Sequence, residues 1–349
     1  QLKEKIPQNG GSFFTKNIRK NKLFPMGSIN KFYKRVNAIV FRGTVIVFSE
    51  LDLKTEPLQM YGQINTLIAS SDNELQGAVF LQKLNPVLQE VLQGRAQKQD
   101  DSVDATIQTL NDMKAKVPEH WPNTKANLDK LISLLPQGLA RNATESQSVA
   151  LGNHTVTLVR QMADESELTL DPYLPSYYMM SPMAFQLPGA IEYIAELEGK
   201  LRFQDTDVGG TLSFARSRLG TLNRALDEIR EATQKSAAAG GDIKAETTQH
   251  LDAIYQNLEG VAKWVQGESA KDLNYESISG SPEAIRQLNA AFNSAFALSR
   301  GLNRTLQEDL RVRIDNMQID LITSGTGSAV VLLLACALGF VVFRDVNGE

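Results

Sequence analysis

The sequence is poor in the residues that build disulfides and metal centres, with one cysteine and three histidines. A single cysteine excludes an intramolecular disulfide, and because Cys336 lies inside an apolar run we expect it to behave as a small hydrophobic residue. His120, His154 and His250 lie far apart, and the only carboxylate one helical turn from any of them is Glu246. The sequence therefore predicts no metal site and no cofactor.

Catalytic motifs and an excess of positive charge are also missing. The chain has no G-x-S-x-G, no H-E-x-x-H and no phosphate-binding P-loop. Its formal net charge of -4 at pH 7 gives no sign of the basic surface that binds nucleic acid. We therefore expect no catalytic residue in this chain and no nucleic-acid partner.

The most prominent feature that is present is a run without charge from Leu321 to Phe343, LITSGTGSAVVLLLACALGFVVF. It is longer than the roughly 20 residues that a helix needs to cross the hydrocarbon core of a bilayer. Its polar residues are small and lie at one end, whereas a soluble core helix of this length shows a polar stripe. The run predicts a transmembrane helix over 321–343.

A second, shorter apolar run, VNAIVFRGTVIVF, begins at Val36 and follows basic residues at 31, 34 and 35. This order is typical of a first span with a cytoplasmic amino end, so we expect a marginal transmembrane segment over 36–49. Arg42 and the short length leave a signal-peptide core or a buried segment as alternatives. In the first interpretation, residues 1–35 form a disordered basic segment in the cytoplasm and 50–320 lie outside it.

The region 50–320 shows helical periodicity with hardly any alternating β-branched run, which predicts an all-α domain. One helix begins near Pro57, and the prolines of PEHWPN at 118–123 predict a turn, with Asn123 or Thr124 as the next helix cap. The last helix begins at Ser281-Pro282-Glu283, a cap followed by proline and an acidic first turn. Nothing interrupts its apolar stripe before 321, so we expect one rod that continues into the apolar run.

The length of this region predicts more than one bundle. A four-helix bundle with short loops needs about 120 to 150 residues, and 50–320 is nearly twice as long. We therefore expect an elongated antiparallel bundle of two stacked four-helix modules, with the helix from Pro57 antiparallel to the last rod. Pro86 would kink the first helix between modules, and the proline-broken corner at 171–176 would turn the chain back.

The corner carries a resemblance to a known class of proteins. Residues 170–188, LDPYLPSYYMMSPMAFQLP, resemble a segment of the extracytoplasmic sensor regions of bacterial methyl-accepting chemotaxis proteins and sensor histidine kinases, where the pattern runs LDPDLDSYYLMD and then LP. Tyr173, Pro175 and Ser181 stand where that pattern carries aspartates, so no role of those acids transfers here. NELQGAVFLQKLNPVLQEVL at 73–92 and LQEDLRVRIDNMQIDL at 306–321 resemble the helices next to the two spans of such receptors.

The resemblance implies a receptor of the bacterial inner membrane whose domain 50–320 senses a small molecule or a periplasmic binding protein. It also implies a parallel homodimer and a relay by helix displacement to a cytoplasmic output that starts at 344–349 and continues beyond this sequence. A kinase or cyclase activity would belong to that output and not to this chain. The alternative is a membrane-anchored structural or interaction protein without signalling output.

A ligand of such a receptor would bind between the helices of the bundle, where arginines and tyrosines are suitable contacts. Helical arginines are more often solvated, and paired tyrosines more often fill a core. The ligand-binding candidates are Arg160, Tyr177, Tyr178, Arg202, Arg216 and Arg218.

Overall fold

A computed structural model describes residues 56–97, 103–271 and 277–346. The chain divides into two units, Gln1–Met60 and Tyr61–Glu349, and the helices that build the candidate site belong to the second. The predicted first span at 36–49 and the predicted basic segment at 1–35 lie outside the described residues, as do 347–349.

The described part is helical throughout and contains no strand apart from one isolated bridge between Asp205 and Ile278. The predicted all-α class is therefore confirmed. A 3₁₀ turn spans Leu168–Leu170, and a π-helical turn, Pro182–Gln186, joins two helices without a break. The nine α-helices of this part are α1 Glu56–Gln97, α2 Val103–Lys114, α3 Pro122–Gly138, α4 Glu145–Glu165, α5 Leu174–Ser181, α6 Leu187–Arg202, α7 Val208–Ala238, α8 Ala245–Ser269 and α9 Pro282–Val346.

Several helix ends follow from local sequence. The Thr144 hydroxyl accepts from the Gln147 amide at the start of α4, and the Gln147 side chain accepts in return from the Thr144 amide, which makes a capping box. The Ala284 amide donates to Ser281 Oγ over 3.1 Å, so the predicted cap of the last helix is confirmed. The helix α1 runs through Pro86 and ends only at Gln97.

The long helices α1 and α9 lie antiparallel, as predicted. Asn85 Nδ2 donates to Ser299 Oγ over 3.1 Å, and Gln89 Nε2 donates to Asn293 Oδ1 over 3.0 Å. Nearer the start of α1, the Tyr61 hydroxyl donates to the Leu321 carbonyl over 3.2 Å. Residues later in α1 therefore contact residues earlier in α9, as expected for an antiparallel pair. The two helices share one buried core with α4, α6, α7 and α8.

The hairpin of α3 and α4 packs along α1. Trp121 Nε1, just before α3, donates to Asn73 Oδ1 over 3.0 Å. At the other end of the hairpin, Arg95 Nη1 donates to the Ser148 carbonyl over 3.1 Å. The hairpin therefore covers α1 from about Asn73 to Arg95.

The helix α8 packs along the matching stretch of α9. Lys244, before the start of α8, lies 3.7 Å from Glu308, and Gly260 in α8 faces Gln287. Because α1 and α9 pair through 85–89 and 293–299, the α3–α4 hairpin and α8 lie beside the same length of the two long helices. The predicted end-to-end stacking of two modules is wrong, and so is Pro86 as their junction, since the additional helices widen the bundle sideways.

The end of α9 leaves this core. Ile322 is 65% exposed and Leu333 is 68% exposed, whereas Leu310 is fully buried. Taking the described residues alone, no helix combines the length and the apolarity needed to cross a membrane, and the predicted span 321–343 is not confirmed. The side chains at 328, 331, 332 and 339–343 of that span lie outside the described residues.

Candidate functional site

A cavity of about 230 Å³ opens where the end of α1 and the start of α4 meet α6 and α7. Apolar and charged side chains share its wall, which is the composition expected of a site for a small polar ligand. The lining residues are Arg95, Ala96, Ala143, Glu145, Ser148, Val149, Ala195, Glu196, Gly199, Lys200, Phe203, Gln204, Asp205 and Phe214.

Arg95, which lines this cavity, belongs to a buried ion pair. Arg95 Nη1 lies 2.7 Å from Glu192 Oε1, and both side chains are 3% exposed. The guanidinium also donates to the Ser148 carbonyl and, over 3.2 Å, to the Glu192 carbonyl. Gly152 makes room for the pair, since a methyl group there would overlap the guanidinium. Arg95 thus ties α1 to α4 and α6 at a single point.

A second ion pair lies at the cavity rim. Lys200 Nζ approaches Asp205 Oδ2 to 2.6 Å, and Asp205 also accepts from the Asp207 amide and the Thr211 hydroxyl. These hydrogen bonds, led by that from Lys200, lower the pKa of Asp205 to about 2. The hydrogen bond to Asp205 raises the pKa of Lys200, and the Glu145 carboxylate raises it further. The rim therefore carries fixed charges of both signs at neutral pH.

A third ion pair at the cavity joins Arg218 to Glu196, which lines the wall. Arg218 Nε lies 2.8 Å from Glu196 Oε2, and the guanidinium stacks over Tyr193 and Phe214, 4.5 and 5.2 Å from the ring centres. Burial raises the pKa of Glu196, and the charge of Glu192 raises it further against the opposing effect of Arg218. Among the candidates named from the sequence, Arg218 is the one that contacts the cavity wall, through Glu196 and Phe214.

The other five candidates do not converge with it. Arg160 donates to the Phe185 carbonyl over 3.3 Å, and Arg216 donates to Ser269 Oγ over 2.8 Å, both on exposed faces. Arg202 pairs with Glu198 on its own helix. Tyr177 and Tyr178 stack edge to face 5.6 Å apart in α5, away from the residues that line the cavity.

A second charged group, the clasp, joins three segments at the other end of the bundle. Its members are Glu74 of α1, Asp171 of the corner and Arg313 of α9. Arg313 Nη1 donates to Asp171 Oδ1 over 2.8 Å, and Arg313 Nη2 pairs with Glu74. Tyr173 covers the guanidinium, with its ring centre 4.3 Å away. The three charged side chains are between 0% and 9% exposed.

Neither buried ion pair was predicted from the sequence, although a signal is present. Glu192 lies between the buried positions Ile191 and Ile194, and Arg313 precedes buried Ile314 on the apolar stripe of α9. A charge within the core-facing stripe of a helix indicates a buried partner, because an unpaired buried charge is very costly. The partners themselves lie 97 and 239 positions away in the chain.

Comparisons with models of protein families, with curated proteins and with solved structures found no match to this chain. The features of this chain that bear on function are the cavity, the clasp and the two long helices.

Proposed function

We propose that this chain is the sensing part of a bacterial transmembrane receptor, in which occupancy of the cavity displaces α1 and α9 relative to each other. The observation that carries the proposal is the position of the cavity at the end of α1, next to the buried Arg95–Glu192 pair. A ligand that presses on Ala96 or Arg95 acts directly on a helix that extends along α9 to Leu321.

The clasp supplies the other end of this relay. Toward the start of α1 and the end of α9, the described side chains of the two helices are largely exposed, so the clasp lies close to the end of the buried core. Helix shifts of about 1 to 2 Å are a known mode of switching when two packings have similar energy. A small movement at the cavity can therefore reach the end of α9 without any other helix changing its place.

Membrane attachment is part of the proposal. The run 321–343 contains no charge, and its described apolar side chains are unusually exposed, including Ile322, Val330 and Leu333. Lipid is a suitable cover for a helix that is apolar on all sides. The proposed topology is that of the sequence prediction, with 50–320 outside the cytoplasm, a marginal first span at 36–49, and the output after 344.

A parallel homodimer is proposed on the same helix. Val312 and Ile319 are each 59% exposed and lie two turns apart on one face of α9, where a second copy could cover them. The ligand would be a small molecule that enters the cavity. A binding protein that contacts the cavity rim is the other partner class that this arrangement allows.

The test combines ligand screening with a distance measurement on the full chain in detergent micelles. Spin labels at Gln63→Cys and Gln318→Cys, in a Cys336→Ser background, report the α1–α9 distance from two exposed positions. Amino acids, short carboxylic acids and amines are screened by thermal shift, because a ligand that binds the folded state raises the melting temperature. We expect that a compound which raises the melting temperature also changes the distance between the two spin labels.

A matched pair of variants locates the effect. Val149→Trp fills the cavity and should abolish both responses, whereas Val156→Trp, two turns further along α4, does not line the cavity and should retain them. A ligand that binds without moving the labels, or that binds equally well to Val149→Trp, would refute the relay. The alternative, a membrane-anchored structural protein, predicts that no compound produces either response.

A further inference from the structure

The clasp has an imbalance of charge that ligand binding at the cavity does not explain. Glu74 is faced by Arg313 from α9, by Asp171 and Tyr173 of the corner, and by Glu167 just before it. Two buried carboxylates, those of Glu74 and Asp171, share one guanidinium. When both are ionised, the clasp holds one uncompensated negative charge in a place that water hardly reaches, and this is costly.

A proton is the simplest species that removes this charge. Burial raises the pKa of Glu74 to about 7, and the negative charge of Asp171 raises it further against the opposing effect of Arg313. Protonation also adds a hydrogen-bond donor to a cluster that has an acceptor to spare, since Asp171 Oδ2 is buried without a hydrogen-bond partner in the described structure. The protonated clasp is therefore balanced in charge.

The backbone beside the clasp is strained. Glu167 adopts a φ of 64°, the left-handed region that residues with a side chain seldom occupy. Its carboxylate accepts from Ser70 Oγ over 2.6 Å, which ties this strained residue back to α1. The corner is held by charged contacts to α1 and α9 and by a 2.8 Å hydrogen bond from Ser236 Oγ of α7 to the Pro175 carbonyl, so weakening the clasp loosens the corner from α1 and α9 while its contact with α7 remains.

We propose that the clasp is a proton-binding site through which this receptor senses pH, closed on α9 when Glu74 is protonated and loosened when Glu74 is ionised. The response rests on the proposed function only in its last step, the transmission along α9. Proton binding and corner movement can be measured without it.

The test follows protonation and movement separately in the full chain in detergent micelles. Infrared difference spectra between pH 5.5 and 8.5 report the protonated carboxyl group, and subtraction of the Glu74→Gln spectrum removes the signal of other acids with a raised pKa, such as the half-buried Asp309. Spin labels at Leu170→Cys and Gln318→Cys, in a Cys336→Ser background, report the distance between the corner and α9. With a midpoint near pH 7, the ratio of protonated to ionised Glu74 changes about tenfold for each pH unit.

Three variants make the expectation specific. Glu74→Gln imitates the protonated acid and should hold the corner at its low-pH distance at every pH. Asp171→Asn removes the neighbouring negative charge, so the midpoint should move to lower pH if the variant folds as judged by circular dichroism. Glu283→Gln removes an exposed carboxylate of α9, 57% exposed, and should leave the titration unchanged.

The outcomes separate the two proposals. A carboxyl band that titrates near pH 7 together with the corner distance, and that shifts down in Asp171→Asn, supports proton sensing. A band that does not titrate in this range, or a corner distance that stays constant while the band titrates, overturns it. Neither negative result affects the proposed function, which is judged by the response of the labels at positions 63 and 318 to a ligand.

Discussion

Removal of Arg95 tests whether its buried ion pair with Glu192 stabilises the folded chain next to the cavity. The change is Arg95→Met, which keeps most of the side-chain volume but leaves the Glu192 side chain, 3% exposed, without its partner. Breaking a buried ion pair by deleting one member typically costs about 3 to 5 kcal/mol in the free energy of unfolding. Two carbonyl oxygens, of Ser148 and Glu192, also lose their donor, at about 1 kcal/mol each.

The double variant Arg95→Met with Glu192→Met separates pairing from burial. Because no unpaired charge remains, we expect it to lose only about 1 to 2 kcal/mol relative to the native chain, mainly for the two carbonyls. The coupling between the two sites should then be about 3 kcal/mol or more. It is measured by urea unfolding monitored by circular dichroism, and the comparison requires that the unfolding free energies of all variants depend on urea concentration with the same slope.

An exposed pair of the same chemistry is the control. Arg286 and Glu283 on α9 lie 2.6 Å apart, but their side chains are 68% and 57% exposed. Arg286→Met should cost less than about 1 kcal/mol, because exposed ion pairs contribute little. If Arg95→Met were as mild as Arg286→Met, or if the double variant were less stable than Arg95→Met, the reasoning about a buried unpaired charge would be refuted.

Three further predictions concern stability. Gly152→Ala should lower the free energy of unfolding by about 2 to 4 kcal/mol, because the added methyl group displaces the Arg95–Glu192 pair. The control is Gly220→Ala on α7, where the space around the glycine is open, and this variant should be neutral or stabilising in urea unfolding. Glu165→Ala should lower the free energy of unfolding by about 1 to 2 kcal/mol, because the Glu165 carboxylate accepts from the amides of Asn123 and Thr124 over 2.8 and 2.6 Å. The control is Glu119→Ala, which removes no such contact and should be near neutral. Equal melting temperatures of the two variants would contradict the capping role of Glu165. The pKa of Glu74 is higher in the folded chain than its usual 4.5, so the stabilisation by protonated Glu74 is fully present below pH 4.5 and is lost as the pH rises through about 7. The free energy of unfolding should fall by about 2 to 3 kcal/mol over this range. Glu74→Gln should flatten the profile of stability against pH between pH 4.5 and 7.5.

Local physics determined much of the fold directly from the sequence. The all-α class follows from periodicity, and the start of α9 follows from Ser281, Pro282 and Glu283, because caps and first-turn charges act within one turn of the chain. The turn before α3 follows from Pro118 and Pro122 for the same reason. The antiparallel pairing of α1 and α9 was predictable because both carry long apolar stripes that need each other.

The tertiary structure decided how the remaining helices share those stripes. Chain length alone suggested two stacked modules, but a stripe that is wide enough can bind helices on two sides, and α4 and α8 occupy the same length of the long pair. The cap of α3 comes from Glu165, about forty residues away, and not from Asn123 or Thr124 as the local sequence predicts. Contacts over such separations depend on the packing of several helices at once.

The charged sites show the same division. Arg218 was a candidate from its residue type alone. Phe214 lies one turn earlier on the same helix, but Glu196 and Tyr193 reach Arg218 only through the packing of α6 on α7. The sequence places a charge within the apolar stripe at Arg313, and this indicates that a buried partner must exist. Which carboxylates meet it is decided by the path of the corner between α4 and α5, because the energy of a buried charge depends on partners that the chain delivers from far away.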